Sequence, residues 1–272
     1  MARTNMAATA VKPEVAETLR LQVLRRTEVS PHMARVTLGG GDVDRFRSMG
    51  FDQWFRLFIP VSDDSLDHVP PVFTRIAWAK LLAAPKASRP VVRNYTVRAH
   101  RALGTDGPEI DVDVVLHGEG DDAGPGSTWA RTCAPGDPVA ILDEGIGFVP
   151  PPATAGRTVL VADESGLPAA AGILASLPAD AEGLALLEVP AEADRQDLAP
   201  PPGVEVRWIV RTDPHDVPGR AAAALAQAQA LPDGPFYGWT VGEQALPTGV
   251  RRHWVRTGVP KDHIMFCGYW KV

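Results

Sequence analysis

The run Arg93-Asn94-Tyr95-Thr96-Val97-Arg98 sets cations, an aromatic ring and a hydroxyl in alternation shortly after Pro90. On an extended chain successive side chains point to opposite faces, so Tyr95 lies on one side and Asn94 and Thr96 on the other. Arg93 offers a planar fork suited to phosphate. Tyr95 offers a flat face with a polar tip, and Thr96 a small hydroxyl that can reach a ring nitrogen. These groups suit a ligand with a pyrophosphate, a polyol and a planar redox ring, as in a flavin dinucleotide. They also make an ordinary half-exposed strand, and six residues alone favour that simpler account.

Other stretches carry chemistry in the same conditional way. His117-Gly118 leads through an acidic segment, Glu119 to Asp122, into Gly124-Pro125-Gly126-Ser127-Thr128-Trp129. Glycines followed by Ser and Thr at a helix start can present backbone N–H groups to phosphate, or simply cap a surface helix. Ala162-Asp163-Glu164-Ser165-Gly166-Leu167 falls between a strand and a helix. A serine nucleophile elbow needs small residues where Asp163 and Leu167 stand, so a hydrolase is excluded. A nucleotide bound at a strand end there would be held loosely, as a transient nicotinamide substrate is. Gly242-Glu243 repeats the strand-end pattern, with Arg251 and Arg252 downstream. Gly268-Tyr269-Trp270-Lys271 places two aromatics and a cation beyond the last strand, to cover a flavin or to pack a core.

These motifs need two kinds of scaffold. From Leu19 to Asp143 short alternating segments (Leu19–Val29, Met33–Leu38, Gln53–Ile59, the Tyr95 strand, Ile110–Leu116, Pro138–Leu142) predict an antiparallel barrel or sandwich, with a helix inserted over Val72–Ala84. After Pro150-Pro151-Pro152 continuous apolar strands (Thr158–Ala162, Leu184–Val189, Val204–Val210, Phe236–Val241, His263–Cys267) alternate with helices, predicting a doubly wound parallel sheet. The expected division is a disordered tail over residues 1–17, a β domain over 18–150 and an α/β domain over 151–272. Gly39-Gly40-Gly41 has no dinucleotide-fingerprint spacing. A net charge of −6 argues against nucleic acid as partner, and two cysteines build no disulfide framework. The histidine spacing gives no metal site. No apolar run reaches membrane-spanning length, and the first residues lack a signal-peptide core. The expectation is a cytoplasmic monomer with a small-molecule substrate and no membrane partner.

Taken in order, the motifs resemble the siderophore-interacting protein family, whose pattern runs R-x-Y-T, a strand ending in H-G, G-P-x-x-x-W-A, G-D-E-T-A-L-P-A, G-E and Y-W-R. Here they stand as RNYT at Arg93, HG at His117, GPGSTWA at Gly124, ADESGLPA at Ala162, VGE at Val241 and GYWK at Gly268, with an early DQWFRL at Asp52. The resemblance implies a ferredoxin-reductase-like pair of domains, a β-barrel for FAD and an α/β domain for NAD(P)H, with the flavin between them. It implies that Arg93, Asn94, Tyr95 and Thr96 hold the flavin, with Tyr95 and Thr96 nearest the chemistry. His117, Gly118, Gly126, Ser127, Thr128 and Trp129 would hold the rest of the dinucleotide. Asp163, Glu164, Ser165, Gly242 and Glu243 would line the nicotinamide site, with Tyr269 and Trp270 over the flavin. Arg56, Lys271 and Arg131 would receive an anionic ferric chelate. The implied reaction passes electrons from NAD(P)H through FAD to the Fe(III) of a siderophore, whose hard oxygen ligands hold Fe(II) less well. Ala162, Ser165, Gly166 and Lys271 depart from the family pattern. Two other readings therefore stay open: a flavoenzyme of the same fold acting on an organic intermediate, and a siderophore carrier without turnover.

Overall fold

The computed structural model describes residues 4–6, 10–14, 16–118, 120–154 and 156–272, Asp121 by its backbone alone. Two compact units emerge. One comprises residues 12–49 and 53–145; the other comprises Gly50–Asp52, Ile146–Val272 and the described part of the first eleven residues. The passage between them lies at Gly145 and Ile146, five residues ahead of the expected boundary. Of the expected disordered tail, residues 1–3, 7–9 and 15 fall outside the described residues. For Asn5 and Val11 that reading is corrected: their backbone N–H groups donate to Phe266 and Ile146.

The first unit is an antiparallel sheet of seven strands: β1 (Thr18–Ser30), β2 (Met33–Gly39), β3 (Trp54–Ile59), β4 (Val91–Thr96), β5 (Ala99–Gly104), β6 (Gly107–Val115) and β7 (Pro138–Gly145). The order is β4-β3-β7-β1-β2-β6-β5. The Arg98 N–H donates to the Asp111 carbonyl, so the chain leaving β4 meets β6 and the sheet curls into a barrel. Alternate residues fill the interior: Leu19, Leu21 and Val23 of β1, Phe55 and Leu57 of β3, Ile110, Val112 and Val114 of β6. The inserted helix, α1 (Arg75–Ala83), packs Leu81 and Trp78 with Phe73 on Phe58 at the barrel's outer face.

Alternation along β6 predicted one wet face, but both faces are covered. Glu109, Asp111 and Asp113 are buried beneath arginines from neighbouring strands. Arg25 grips Glu109 at 2.7 and 2.8 Å, and Arg35 grips Asp113 at 2.7 and 2.8 Å. Arg101 bridges Glu109 and Asp111, while the Thr37 hydroxyl donates to Asp111 at 2.7 Å. Such cross-strand pairs fix register as well as charge. β5, missing from the sequence reading, pairs antiparallel with β6 and carries Arg101.

The second unit is a parallel sheet of β8 (Arg157–Ala162), β9 (Glu182–Val189), β10 (Gly203–Val210), β11 (Tyr237–Glu243) and β12 (Ile264–Trp270), ordered β10-β9-β8-β11-β12. Helix α2 (Pro125–Thr132) belongs to the barrel; α3 (Leu167–Ser176), α4 (Arg220–Ala228) and α5 (Ala245–Arg256) belong to the parallel sheet. Ala222, Ala226, Leu246, Val250 and Trp254 of α4 and α5 cover Val159, Val161 and Leu186. Strand order reverses between β8 and β11, the place where doubly wound sheets open a crevice at their carboxyl ends.

Charged arginines hold the Glu109 carboxyl down at about 2 in the fold, against an ordinary 4.5. A depressed carboxyl stabilises the fold above its ordinary pKa, and that contribution drains away as pH falls from about 5 towards 2. Arg25 and Arg101 are partly exposed, so the expected contribution is about 1–2 kcal/mol. Urea titrations across this range check it: Glu109→Gln should lose less stability on acidification than the parent.

Candidate functional site

In the barrel unit β4 lies along β3, with Tyr95 opposite Phe55 and Asn94 opposite Arg56. Arg93 and Asn94 are exposed, Tyr95 is half-buried against the interior, and Thr96 is only 7% exposed. One Arg93 nitrogen donates to the Val92 carbonyl at 2.8 Å. Burial pushes the Tyr95 phenol up to about 12, so it keeps its proton and acts as a donor.

Helix α2 begins behind this strand because Gly124 precedes Pro125, whose fixed φ suits the first helical position. No side chain caps its first turn. Tyr95 rests on that turn: a Cβ on Gly126 would overlap the phenol oxygen and approach Arg93 Cγ at 3.9 Å. The His117 ring lies over Gly124, 3.0 Å from where a Cβ would be. Gly118 turns the chain with φ +65°. The structure thus brings Arg93, Tyr95, His117, Gly126 and Ser127 together, although their sequence positions span more than thirty residues.

Several expected ligands prove to be framework. Ser127 stands inside the helix, buried, accepting the His117 N–H at 3.2 Å and donating to the His117 carbonyl at 3.1 Å. That hydroxyl staples the H-G strand end to α2 instead of facing a phosphate. Arg131, expected at the substrate, donates to Ser127 Oγ at 2.7 Å. Trp129 is buried in the barrel core. Thr128 is exposed, as is Asp122 beyond it; Glu119 and the Asp121 side chain lie outside the described residues. Arg56, also expected at the substrate, pairs with Glu144 at 2.6 Å and stacks on Trp78 at 4.6 Å.

The strand-end motifs of the parallel unit meet where order reverses, yet their carboxylates point inward. Asp163 is 1% exposed; it accepts the N–H groups of Ser165 at 2.9 Å and Glu243 at 2.6 Å, and the Ser165 hydroxyl. Burial, then the Glu164 charge, pushes its carboxyl up to about 7. Gly242, at φ +134°, has Asp163 2.5 Å from where a Cβ would be, so the β11 turn admits only glycine. Glu164 is gripped by Arg211 at 2.7 and 2.8 Å, and Arg211 also reaches Glu188 at 3.1 Å. Glu188 in turn accepts the Gly219 and Ala222 N–H groups at the start of α4, at 2.7 and 2.8 Å. Glu243 accepts the Ala245 N–H at 2.6 Å, opening α5. Asp163, Glu164 and Glu243 therefore build the walls of the strand-end turns; Ser165 is half-buried.

Sequence reasoning missed Arg211 and Glu188. Their signal was a charged residue at the carboxyl end of each of two adjacent apolar strands, β9 and β10. Tyr269 is half-buried, Trp270 is 37% exposed and Lys271 is exposed. Arg251 stacks on Phe266 at 4.7 Å; Arg252 is exposed. Both cysteines are free. Among the described residues no group of three acidic, His or Cys side chains is placed to hold a metal, and no helix is long and apolar enough to cross a membrane.

Two family models match the chain. Residues 22–146 match the siderophore-interacting FAD-binding domain, and residues 155–272 match the siderophore-interacting protein domain. An uncharacterized Mycobacterium tuberculosis protein is 39% identical over 191 residues, covering 70% of this chain and 64% of that protein; the chain thus matches under two thirds of that relative's length. The ferric vibriobactin reductase of Vibrio cholerae is 30% identical over 92% of this chain and 88% of its own. The crystal structure of a siderophore utilization protein from T. fusca superposes with a TM-score of 0.76 at 31% identity, covering 97% of this chain and 95% of that one. The chain belongs to the siderophore-interacting FAD-binding family, and its fold is ferredoxin-reductase-like.

The barrel residues fit FAD. An exposed guanidinium, a neutral phenol and an uncapped helix start with a glycine cradle converge there. Gly126→Ala is expected to displace Tyr95 and lower bound flavin several-fold, read as the ratio of flavin to protein absorbance after purification. Asp163→Asn sets an N–H donor against N–H donors and is expected to cost about 1–3 kcal/mol. A carboxyl whose pKa is raised in the fold stabilises it below the ordinary value and loses that contribution as pH rises towards 7. Denaturant titrations between pH 4 and 8 should therefore show a falling slope in the parent that the variant lacks.

Proposed function

We propose that this chain is an FAD-dependent reductase that takes electrons from NAD(P)H and delivers them to the Fe(III) of a siderophore, working as a cytoplasmic monomer. The observation that carries this reading is the seating of Tyr95 on the Gly126 backbone with Arg93 exposed beside it. FAD bound there would accept two electrons from a nicotinamide and release them singly, the step that a ferric centre requires.

The chain's own residues bind and orient. Arg93 would meet the pyrophosphate as a fixed planar cation. Tyr95, protonated at physiological pH, would donate a hydrogen bond along the polyol, and Asn94 and Thr96 would flank it from the other side of the strand. Gly126 lets α2 start close beneath, where its free N–H groups favour negative charge. In the parallel unit Asp163 and Gly242 shape the strand ends at which a nicotinamide nucleotide would pass, with Ser165 as the polar group near that surface. Of the three cations expected at the chelate, Lys271 is exposed and unencumbered by a described ion pair, whereas Arg56 and Arg131 serve the barrel. Tyr269 and Trp270 precede it and would supply apolar cover. Fe(III) enters as substrate, bound through its chelator, and the iron leaves as Fe(II), which the hard oxygen ligands hold less well.

Anaerobic addition of NADH or NADPH tests the reading. The purified protein should be yellow, should bleach with at least one nucleotide, and should recover its colour when a ferric siderophore is added. A yellow protein that neither nucleotide bleaches would overturn the reductase. Arg93→Ala should lower FAD affinity about tenfold or more, measured by flavin fluorescence on titration; unchanged affinity would remove Arg93 from the site.

A further inference from the structure

Helix α1 turns to water a face that its role in the barrel does not require. Phe73, Trp78 and Leu81 point inward and seal the outer cluster. Outward stand Ile76 and Leu82, 70% and 61% exposed, with Val72 just ahead at 52%. Ala79 and Ala83, also exposed, lie on the same side. Arg75, Lys80 and Lys86 surround this surface, all exposed, while Arg89 donates to the Leu82 carbonyl at 2.6 Å and closes the helix. Arg75, Lys80 and Lys86 are thus the exposed cations along this face; Asp63, Asp64 and Asp67, also exposed, precede it in the chain.

We propose that this face of α1 docks on an anionic lipid surface. Ile76, Leu82 and Val72 enter the headgroup boundary, and Arg75, Lys80 and Lys86 meet the lipid phosphates. A peripheral contact of this kind would be held by burial of the exposed apolar side chains and by attraction of the basic ones to anionic headgroups. Lysine stems can lie along the apolar strip while their ammonium groups reach outward. A protein partner is the weaker match. Protein interfaces are anchored by aromatic residues, and the helix's one aromatic, Trp78, is turned inward over Arg56 at 4.6 Å. Nine residues cannot span a bilayer, so the contact is peripheral. The expectation of no membrane partner rested on the lack of a spanning run and does not address such a surface. The inference stands apart from the reductase reading, since it uses no residue of the flavin or nucleotide sites.

Sedimentation with sucrose-loaded vesicles tests it, comparing equimolar phosphatidylglycerol and phosphatidylcholine with phosphatidylcholine alone. The full chain should pellet with the anionic vesicles, weakly with the neutral ones, and less as salt is raised. Each basic residue near an anionic leaflet is worth about fivefold in partitioning, so the Lys80→Glu, Lys86→Glu double variant should lose well over tenfold. The Ile76→Ser, Leu82→Ser double variant should lose about tenfold, with an unchanged melting temperature to show that the barrel is intact. No pelleting with anionic vesicles, equal pelleting with neutral ones, or variants that pellet like the parent would overturn the proposal. So would a dimer of the parent that Ile76→Ser, Leu82→Ser dissolves while vesicle binding is absent.

Discussion

The barrel unit depends on one close approach, the phenol of Tyr95 lying against the peptide at Gly126. Because nothing larger than hydrogen fits there, β4 and the start of α2 are locked at a fixed separation. The Ser127 hydroxyl, bonded to both backbone groups of His117, then fixes α2 against the end of the strand that carries the H-G pair. Two contacts thus convert a linear series of motifs into one constellation. Burial also raises the phenol to about 12, so at physiological pH it stands as a hydrogen-bond donor.

The parallel unit solves a different problem. Its strand-end turns gather Glu164 and Glu188 against a single buried guanidinium, that of Arg211, while Asp163 and Glu243 accept backbone N–H groups. Buried carboxylates are costly unless hydrogen-bonded, and each here accepts backbone N–H groups or the arginine fork. The start of α4, which would otherwise attract a phosphate, is already taken by Glu188. Phosphate recognition in this unit is therefore left to residues outside the ionic cluster. The cluster makes the turns rigid, so that a transiently bound nucleotide would meet a formed surface and not have to order one.

Much of this was legible in the sequence because it rests on periodicity and punctuation. Apolar runs such as Thr158–Ala162 have no wet face to hide, and Gly-Pro pairs such as Gly124-Pro125 mark a helix start wherever they fall. The motif order located the constellation at Arg93, Tyr95, His117 and Gly126. What sequence could not tell was direction. Asp163 reads the same whether it faces a ligand or a backbone N–H, and Ser127 reads as a cap until the helix is seen to begin two residues earlier. Strand β6 failed for a related reason. Alternating Asp and Val normally means water on one side, and only the neighbouring strands reveal Arg25, Arg35 and Arg101 laid across that face. β5 was missed as well, a short strand whose run Ala99-His100-Arg101-Ala102-Leu103-Gly104 shows no apolar alternation.

The composition acquires a meaning from these positions. Of 27 basic residues only Lys12, Lys80, Lys86, Lys261 and Lys271 are lysine, and an arginine-rich chain invites a reading as an anion binder. Yet the anions most of the buried-edge arginines hold are the chain's own: Glu109, Asp111 and Asp113 in the barrel, Glu164 and Glu188 in the parallel unit. A planar fork can satisfy both oxygens of a buried carboxylate, which an ammonium group cannot do at fixed geometry. Those arginines are therefore consumed by the fold. Other cations stay exposed, among them Arg93, Lys271 and those around α1. A net charge of −6 describes none of these neighbourhoods. The acids that set it are in part sealed under guanidinium groups, while the stretch from Val69 to Thr105 carries positive charge alone. Recognition of a phosphate, a chelate or a lipid headgroup by this chain is governed by that segregation and not by the total.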